Sequence, residues 1–195
     1  MLNPDHLKKY HIILASRSPR RRHLLKELNI SFEAIDLQID ESYPEELKRE
    51  EIAVYLATAK AKAFPAAGLK DNTLLITADT IVWLDNHTIG KPAGRDEAIQ
   101  LLKVLSGKKH EVITGMCLRT CTFTRSFYCE TGVWFRELTD EEITWYVDHY
   151  HPMDKAGAYG AQEWIGYIGI ERIEGSYFNV MGLPVHRLYE ELKKI

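Results

Sequence analysis

The segment from Ile12 to Leu25, IILASRSPRRRHLL, constrains the fold of this chain more than any other stretch. Its four leading apolar residues predict a buried strand, and the Ser-Arg-Ser-Pro sequence that follows interrupts it. Pro19 is suited to the first turn of a helix, because the N–H that proline lacks has no helical partner there. The segment therefore predicts a strand followed at once by a helix, a typical unit of an α/β fold.

Three consecutive arginines, Arg20 to Arg22, fall on the first turn of this predicted helix. The amino end of a helix already carries partial positive charge, so cations are unfavourable there unless an anion is bound. Free amides, the hydroxyls of Ser16 and Ser18 and the guanidinium groups would together bind a phosphate. A solvated charged turn is the alternative interpretation.

Hydrophobic periodicity predicts further strands and helices in alternation along the chain. The predicted strands span 31–39, 74–84, 167–173 and 177–180, with a β-hairpin over 111–135 whose turn lies at 124–126. The predicted helices span 44–64, 96–105, 139–150 and the residues after 183, and the third of them begins at a capping box over 139–142. The segment 152–166 is predicted to be a loop. The hairpin requires antiparallel pairs, so the prediction is an α/β fold with a mixed sheet flanked by helices.

Composition disfavours several classes of protein. The net charge of −3 argues against nucleic-acid binding, which needs a basic surface. No apolar run approaches the ~20 residues that cross a bilayer, and we expect no signal peptide. The three cysteines lack the paired spacing of a zinc site, so reduced thiols are expected. The 195 residues are predicted to form a single domain with two lobes.

Asp79 is a misfit in the apolar run LLITADTIVWL. Burying a carboxylate is costly unless it is paired, hydrogen-bonded or bound to a metal. Together with Glu41, and without a histidine partner, Asp79 suits a hard cation such as Mg²⁺ or Mn²⁺. The alternative is an acid that caps a loop at the end of the strand.

Two further segments carry polar groups suited to a ligand. Lys91 lies in a Gly-Lys-Pro turn from which it could reach whatever the buried acid binds, a solvated surface lysine being the alternative. The segment 154–162 combines small residues, which allow close backbone approach, with Asp154, Lys155 and Gln162. A glycine-rich structural loop is the alternative there. The sequence has no Walker loop and no dinucleotide-binding glycine motif.

Six blocks, taken in order, resemble the Maf family of nucleoside triphosphate pyrophosphatases, whose fold is related to that of inosine triphosphate pyrophosphatases. The blocks are LASRSPRR at 14–21, ADT at 78–80, GKP at 90–92, LSGKKHEVITG at 105–115, DKAGAYG at 154–160 and GSYFNVMGLP at 175–184. The resemblance covers nearly the whole chain. It implies two lobes with a central cleft and a cytoplasmic enzyme that forms a homodimer.

The resemblance also implies an activity, the cleavage of a nucleoside triphosphate between its α and β phosphates with a divalent metal. By position, Asp79 would accept a proton from the attacking water and would hold the metal together with Glu41, and Lys91 would assist catalysis. The implied substrate-binding residues are Ser16, Arg20, Arg21, Lys60, Thr80, Asp154, Lys155 and Gln162. The expected partner is the nucleotide, with no nucleic acid and no membrane.

Arg20, Thr80 and Gln162 match the branch of the family that prefers dTTP and UTP over 7-methyl-GTP. A glutamine amide can donate to a pyrimidine carbonyl and accept from its N3–H, which gives this preference a physical basis. The alternatives are the 7-methyl-GTP activity and a nucleotide-binding regulator of cell division that hydrolyses nothing.

Several residues do not follow the family's pattern or have no implied role. Arg17 stands where a small residue is common, His151 replaces an acid, and Glu163 follows Gln162 where glycine is frequent. Because Glu163 adjoins the residue expected to contact the base, it bears on selectivity among pyrimidines. Arg22 is expected to be a solvated helix residue.

Overall fold

A computed structural model describes residues 5–195, and strands and helices alternate along them as the sequence predicts. The strands are β1 (His11–Ala15), β2 (Glu33–Ile35), β3 (Thr73–Leu84), β4 (His87–Ile89), β5 (Lys109–Arg119), β6 (Thr124–Phe135) and β7 (Ile170–Glu174). The α-helices are α1 (Pro19–Glu27), α2 (Glu50–Ala63), α3 (Arg95–Leu105), α4 (Asp140–Tyr150), α5 (Trp164–Gly169), α6 (Tyr177–Val180) and α7 (Val185–Leu192).

Within residues 5–195, seven strands form one hydrogen-bonded sheet in the order β2-β1-β3-β5-β6-β7, with β4 paired to β3. β1 is parallel to both β2 and β3, whereas β4 is antiparallel to β3 and β7 is antiparallel to β6. In this register Ile13 lies opposite Glu33 on one side and Leu75 on the other. The predicted α/β fold with a mixed sheet is confirmed.

The chain divides into two compact units, each assembled from segments that are distant in sequence. Unit 1 comprises the residues up to Asp79, together with 114–129 and 182–195, and unit 2 comprises 80–113 and 130–181. β3, β5 and β6 each contribute residues to both units. A single functional domain over 1–195 stays a prediction, and its residues 1–4 lie outside the described part.

Unit 1 contains a core in which α2 packs on three strands. Ala57 and Ala61 of α2, and Phe64 directly after it, join Ile13 and Ala15 of β1, Leu75 of β3 and Cys117 of β5. Gly115 allows β5 to approach this helix, since a Cβ added there would lie 2.2 Å from the backbone carbonyl of Ala53. α2, which carries Lys60, is therefore held against β3, which carries Asp79.

Unit 2 has a core formed by its parts of β3, β5 and β6 together with α3, α4 and α5. Leu102, Val133 and Ile165 are among its fully buried members. The predicted capping box of α4 is present, because the Thr139 hydroxyl accepts from the Glu142 amide and the Glu142 carboxylate accepts from the Thr139 amide. Among the described helices of the chain, none has both the length and the apolar run needed to cross a membrane.

Three predicted segments differ from the structure in extent. The helix predicted over 44–64 begins only at Glu50, since Arg49 before it has a φ of 49° and leaves the helical path. The strand predicted over 31–39 has only three residues, Glu33–Ile35. The hairpin turn lies at 120–123 rather than at 124–126, because the Thr120 hydroxyl accepts the following amides and closes the turn there.

Two further predictions near the end of the chain are wrong in kind. The predicted loop 152–166 and strand 167–173 contain α5, so β7 begins only at Ile170. The strand predicted over 177–180 is α6, whose first turn is capped by the Ser176 hydroxyl accepting from the Asn179 amide at 3.3 Å. A side-chain cap starts a helix even where the apolar residues alternate as in a strand.

Candidate functional site

A buried lysine in unit 1 joins two predicted site carboxylates. Lys60, in the last turn of α2, is 9% exposed, and its Nζ lies 2.9 Å from Oε1 of Glu41. The same Nζ donates to Oδ1 of Asp79 on β3. Asp79 is 8% exposed, whereas the side chain of Glu41 is 43% exposed. The buried acid that the sequence singles out is therefore paired with a cation, as its burial requires.

A hydrogen bond from a side chain of β3 to the backbone of α2 sets the positions of Lys60 and Asp79. The buried Thr77 hydroxyl of β3 donates to the carbonyl of Ala57 on α2 at 2.6 Å. Asp79 follows Thr77 by two residues and so lies on the same face of the strand. Lys60 follows Ala57 by three residues and so lies on the same face of the helix. The two faces meet, which brings the ammonium to the carboxylate.

The arginine turn of unit 1 is closed by its own serines. The Ser18 hydroxyl caps α1 by accepting from the Arg21 amide at 3.3 Å, and Ser16 Oγ accepts from the Ser18 amide at 3.2 Å. Both hydroxyls therefore have defined positions, and each keeps a hydrogen with which to donate to a ligand. Pro19 occupies the first turn of the helix, as predicted.

Arg21 connects this turn electrostatically to the acidic pair. Its Nε donates to the carbonyl of Gly182 at 2.7 Å. Burial lowers the pKa of Arg21 below its ordinary value, while the carboxylates of Asp79 and Glu41 act in the opposite direction. Arg20 adds a further lowering effect, as expected of two neighbouring cations. Unit 1 thus places a cluster of cations within electrostatic range of two acids.

Arg22 corrects the expectation of a solvated helix residue. Its Nε and Nη2 donate to the carbonyl of Ser16 at 3.0 Å and 2.8 Å, and Nη2 also contacts Oδ1 of Asp36 at 2.6 Å. Arg22 therefore fixes the backbone of the loop that carries the serines. Arg17 is exposed, and nothing in the structure assigns it a role.

Unit 2 contains a second lysine between two carboxylates. Lys155 Nζ lies 2.7 Å from Oδ1 of Asp154 and 3.1 Å from Oε1 of Glu163. The side chains of Lys155, Glu163 and Asp154 are 9%, 18% and 55% exposed. The hydroxyl of buried Tyr146 donates to Oε2 of Glu163 and accepts from the Gly160 amide at 3.1 Å. The predicted site segment is thus anchored on α4.

Gln162 and Lys91 differ in burial. Oε1 of Gln162 is buried and has no hydrogen-bond partner within residues 5–195, so it is an acceptor available to a ligand. Lys91 is exposed, and the carbonyl of the preceding Gly90 accepts from the Gly157 amide at 3.0 Å. Thr80, the first residue of unit 2, is partly buried on β3.

His110 and Tyr159 fix the same segment from the core of unit 2. His110 is 1% exposed, and its Nε2 lies 2.7 Å from the Tyr159 hydroxyl. Burial lowers the pKa of His110 to about 4 and raises the pKa of Tyr159. His110 is therefore a neutral, buried residue that is hydrogen-bonded to Tyr159.

The predicted residues fall into two groups that the structure describes separately. Glu41, Lys60 and Asp79 are in direct contact in unit 1, and Asp154 contacts Lys155 in unit 2. Within the part of the chain that the structure describes, no three His, Cys, Asp or Glu side chains are arranged to hold a metal ion. The sequence interpretation missed Tyr146, for which no motif gives a signal, and noted Glu163 only as a departure from glycine.

Comparisons with known proteins match this chain over nearly its whole length. The family described as "Maf-like protein" matches residues 11–195. A protein of Phocaeicola vulgatus named dTTP/UTP pyrophosphatase is 57% identical over 98% of this chain and 99% of its own length. One of the same name from Porphyromonas gingivalis W83 is 54% identical over 97% and 96%. The solved Staphylococcus aureus Ham1 protein is 15% identical, covers 94% of this chain and 98% of its own, and has a TM-score of 0.49.

The site segments of both units lie inside the matched range, from the strand before Ser16 to α7 after Gly182. The relatives match over nearly their whole length as well as over nearly the whole of this chain. The chain belongs to the Maf family.

Proposed function

We propose that this protein hydrolyses nucleoside triphosphates, dTTP and UTP in particular, to the monophosphate and pyrophosphate. The observation that carries the proposal is the Glu41–Lys60–Asp79 cluster, which lies within electrostatic range of Arg21. The relatives described above are named dTTP/UTP pyrophosphatase, and their names support this substrate class. A buried, lysine-paired acid near arginines is suited to activating water beside a phosphate.

In this mechanism, Asp79 accepts a proton from water as the water oxygen attacks phosphorus. The P–O bond between the α and β phosphates breaks, and pyrophosphate leaves. Lys60 holds the carboxylate of Asp79 in a fixed orientation, while Ser16, Arg20 and Arg21 bind and neutralise the phosphates. Most of the rate enhancement comes from positioning and electrostatic stabilisation, because phosphoryl transfer requires little covalent chemistry from the protein.

Glu41 and Asp79 would hold a divalent cation, Mg²⁺ or Mn²⁺, that arrives with the nucleotide. Their oxygens are of the kind these cations prefer, and Mg²⁺ is commonly bound by one or two carboxylates plus substrate phosphates. Two carboxylates paired to Lys60 suit a cation that is shared with the substrate phosphates better than a cation enclosed by protein ligands alone. When bound, the cation supplies positive charge to the phosphate oxygens.

For base selection we assign Gln162, with Thr80 as its partner in specificity. The buried, unpartnered Oε1 of Gln162 suits the N3–H that uracil and thymine present. Asp154 and Lys155 belong to the same substrate-binding segment, and Lys91 assists catalysis as a phosphate-neutralising cation. A cytoplasmic homodimer is part of the proposal and rests on the family resemblance alone.

The test is release of pyrophosphate and monophosphate from dTTP, UTP, CTP and 7-methyl-GTP, with Mg²⁺, with Mn²⁺ and with a chelator. We expect dTTP and UTP to react fastest and the chelator to stop the reaction. Asp79→Asn should lower kcat by about 10²- to 10⁴-fold, whereas Asp85→Asn, at an exposed turn, should not change it. Faster turnover of 7-methyl-GTP would contradict the branch, and nucleotide binding without pyrophosphate release would favour the regulator.

A further inference from the structure

Glu163 directs its carboxylate away from the helix that it begins. It is the N-cap residue of α5, and its backbone carbonyl accepts the amides of Gly166 at 2.9 Å and Tyr167 at 3.2 Å. Serine, threonine, aspartate and asparagine commonly cap a helix at this position with their side chains, and glutamate is not among these preferred capping residues. Here the side chain makes no such bond. The carboxylate is therefore engaged elsewhere.

The two oxygens of Glu163 bind groups from two different parts of unit 2. Oε2 accepts from the hydroxyl of Tyr146 on α4, and Oε1 lies 3.1 Å from Nζ of Lys155. The Tyr146 hydroxyl also accepts the amide of Gly160 at 3.1 Å. A Cβ added at Gly160 would lie 2.7 Å from Cδ of Glu163, so the glycine makes room for this carboxylate. Glu163 thus ties both ends of the segment 155–163 to the buried Tyr146 of α4.

Lys155 depends on Glu163 as its counter-ion more than it depends on Asp154. Both acids contact Lys155, but Asp154 is largely exposed, so water screens its interaction with the ammonium. Glu163 is the less exposed partner, and a buried ammonium without its counter-ion is strongly unfavourable. Burial and the Glu163 carboxylate both raise the pKa of Tyr146, which therefore stays a hydroxyl donor to that carboxylate. Neutralising Glu163 should release Lys155 and loosen the segment.

Gln162 lies between the two residues that Tyr146 holds. Its neighbour Glu163 is bound through the carboxylate, and Gly160 is bound through its amide. The buried Oε1 of Gln162, without a partner in the described chain, depends on a ligand to satisfy it. A small movement of this backbone would turn that oxygen away from the ligand.

We propose that Glu163 is a positioning residue for base recognition, holding Gln162 so that its amide meets the N–H of a uracil or thymine base. This rests on the proposed function, because it assumes that the nucleotide base contacts Gln162. Glu163 itself touches neither the base nor the phosphates in this proposal. It acts through Tyr146 and Lys155, so its replacement should affect recognition more than the chemical step.

The experiment compares Glu163→Gln and Glu163→Ala with the wild type. Glu163→Gln keeps the shape but cannot accept from both Tyr146 and Lys155, and Glu163→Ala removes both bonds. The matched control is Glu174→Gln, which neutralises an exposed glutamate paired with Arg172 in the same unit. KM and kcat are measured for UTP and CTP, and UTP binding is measured by calorimetry in an Asp79→Asn background that does not turn over.

We expect KM for UTP to rise about tenfold in both variants, with kcat within about twofold and a reduced preference for UTP over CTP. Tyr146→Phe should change selectivity in the same direction, and adding it to Glu163→Gln should change little more, as expected for residues acting as a unit. Unchanged KM, unchanged selectivity and unchanged UTP affinity would overturn the proposal, whatever happens to the melting temperature. A wild type that binds UTP without hydrolysing it would contradict the proposed function, while the calorimetry would still decide the role of Glu163.

Discussion

Each of the two units buries one lysine between two carboxylates, yet the surroundings of the two lysines differ. Lys60 is held between Glu41 and Asp79, each 19 residues away in sequence, on a helix and a strand that a buried hydroxyl links together. Lys155 is paired with Asp154 beside it and with Glu163, inside a segment of short turns. The same charge pattern thus occurs once with the lysine and its buried acid on a helix and a strand, and once on a loop.

The difference suggests a division of work between the clusters. Asp79 has one lysine partner on a rigid strand and lies near arginines, which is the setting that proton transfer beside a phosphate requires. Glu163 has a tyrosine and a lysine as partners and adjoins an amide that lacks a protein partner. We assign the first cluster to the chemical step and the second to the placement of Gln162.

Replacing the lysine of each cluster should lower the free energy of unfolding by a different amount in the two clusters. Lys60→Met leaves the buried carboxylate of Asp79 without its counter-ion and should cost about 3 to 5 kcal/mol of unfolding free energy. Lys155→Met should cost less, about 1 to 2 kcal/mol, because Glu163 keeps the Tyr146 hydroxyl and Asp154 is solvated. Urea denaturation measures both.

Lys62→Met is the control for that pair, since Lys62 is exposed in the same turn of α2 and its loss should change stability by no more than about 0.5 kcal/mol. Equal losses for Lys60→Met and Lys155→Met would break the distinction between a rigid and a loop-borne cluster.

Acid should weaken unit 2 through His110. Its pKa in the folded state is about 4, below the ordinary value of 6.5, so the unfolded chain binds this proton more readily. The stability is therefore complete above pH 6.5 and falls as the pH drops toward 4, by about 3 kcal/mol in total. Denaturation at pH 7.0, 5.5 and 4.5 measures the slope.

His110→Gln, which cannot titrate, should flatten that slope, and His23→Gln, at an exposed position on α1, should leave it as in the wild type. An unchanged slope in His110→Gln would show that the acid sensitivity comes from other groups.

Tyr146→Phe should lower stability by about as much as Lys155→Met. The variant keeps the buried ring but removes the hydroxyl that donates to Glu163 and accepts from the Gly160 amide. The Gly160 amide and the Glu163 carboxylate would each lose a hydrogen bond, which should lower the free energy of unfolding by about 1 to 2 kcal/mol. The matched control is Tyr150→Phe, since the Tyr150 ring stacks on that of Tyr146 at 5.0 Å but is largely exposed. A loss of the same size in both variants would show that the Tyr146 hydroxyl is not the source of the effect.

The sequence predicted the elements whose signals are local. The Pro19 helix start, the strand around Asp79 and the capping box at Thr139 are all present, because each depends on a few neighbouring residues. α6 was predicted as a strand, since four residues show no helical period and the Ser176 cap was not recognised. The late start of α2 depends on the backbone of Arg49, which no residue pattern reveals.

The sequence proposes residues for the candidate site but does not specify the contacts between them. The misfit of Asp79 in an apolar strand singles it out, Glu41 joins it as a second oxygen ligand for a hard cation, and the family resemblance adds Lys60 by position. That Lys60 would bridge the two acids follows from the packing of α2 on β3, which sequence spacing does not specify. Glu163 was visible as an acid where glycine is frequent, but its partner Tyr146 lies 17 residues earlier on another helix.

The most direct test of this division measures kcat and KM for UTP in Asp79→Asn and Glu163→Gln side by side. Each variant converts one carboxylate of a buried lysine cluster into an isosteric amide. We expect Asp79→Asn to lower kcat by at least about 100-fold, whereas Glu163→Gln should raise KM with kcat nearly unchanged. The same pattern of kcat and KM changes in both variants, or a loss of kcat in Glu163→Gln alone, would contradict this division.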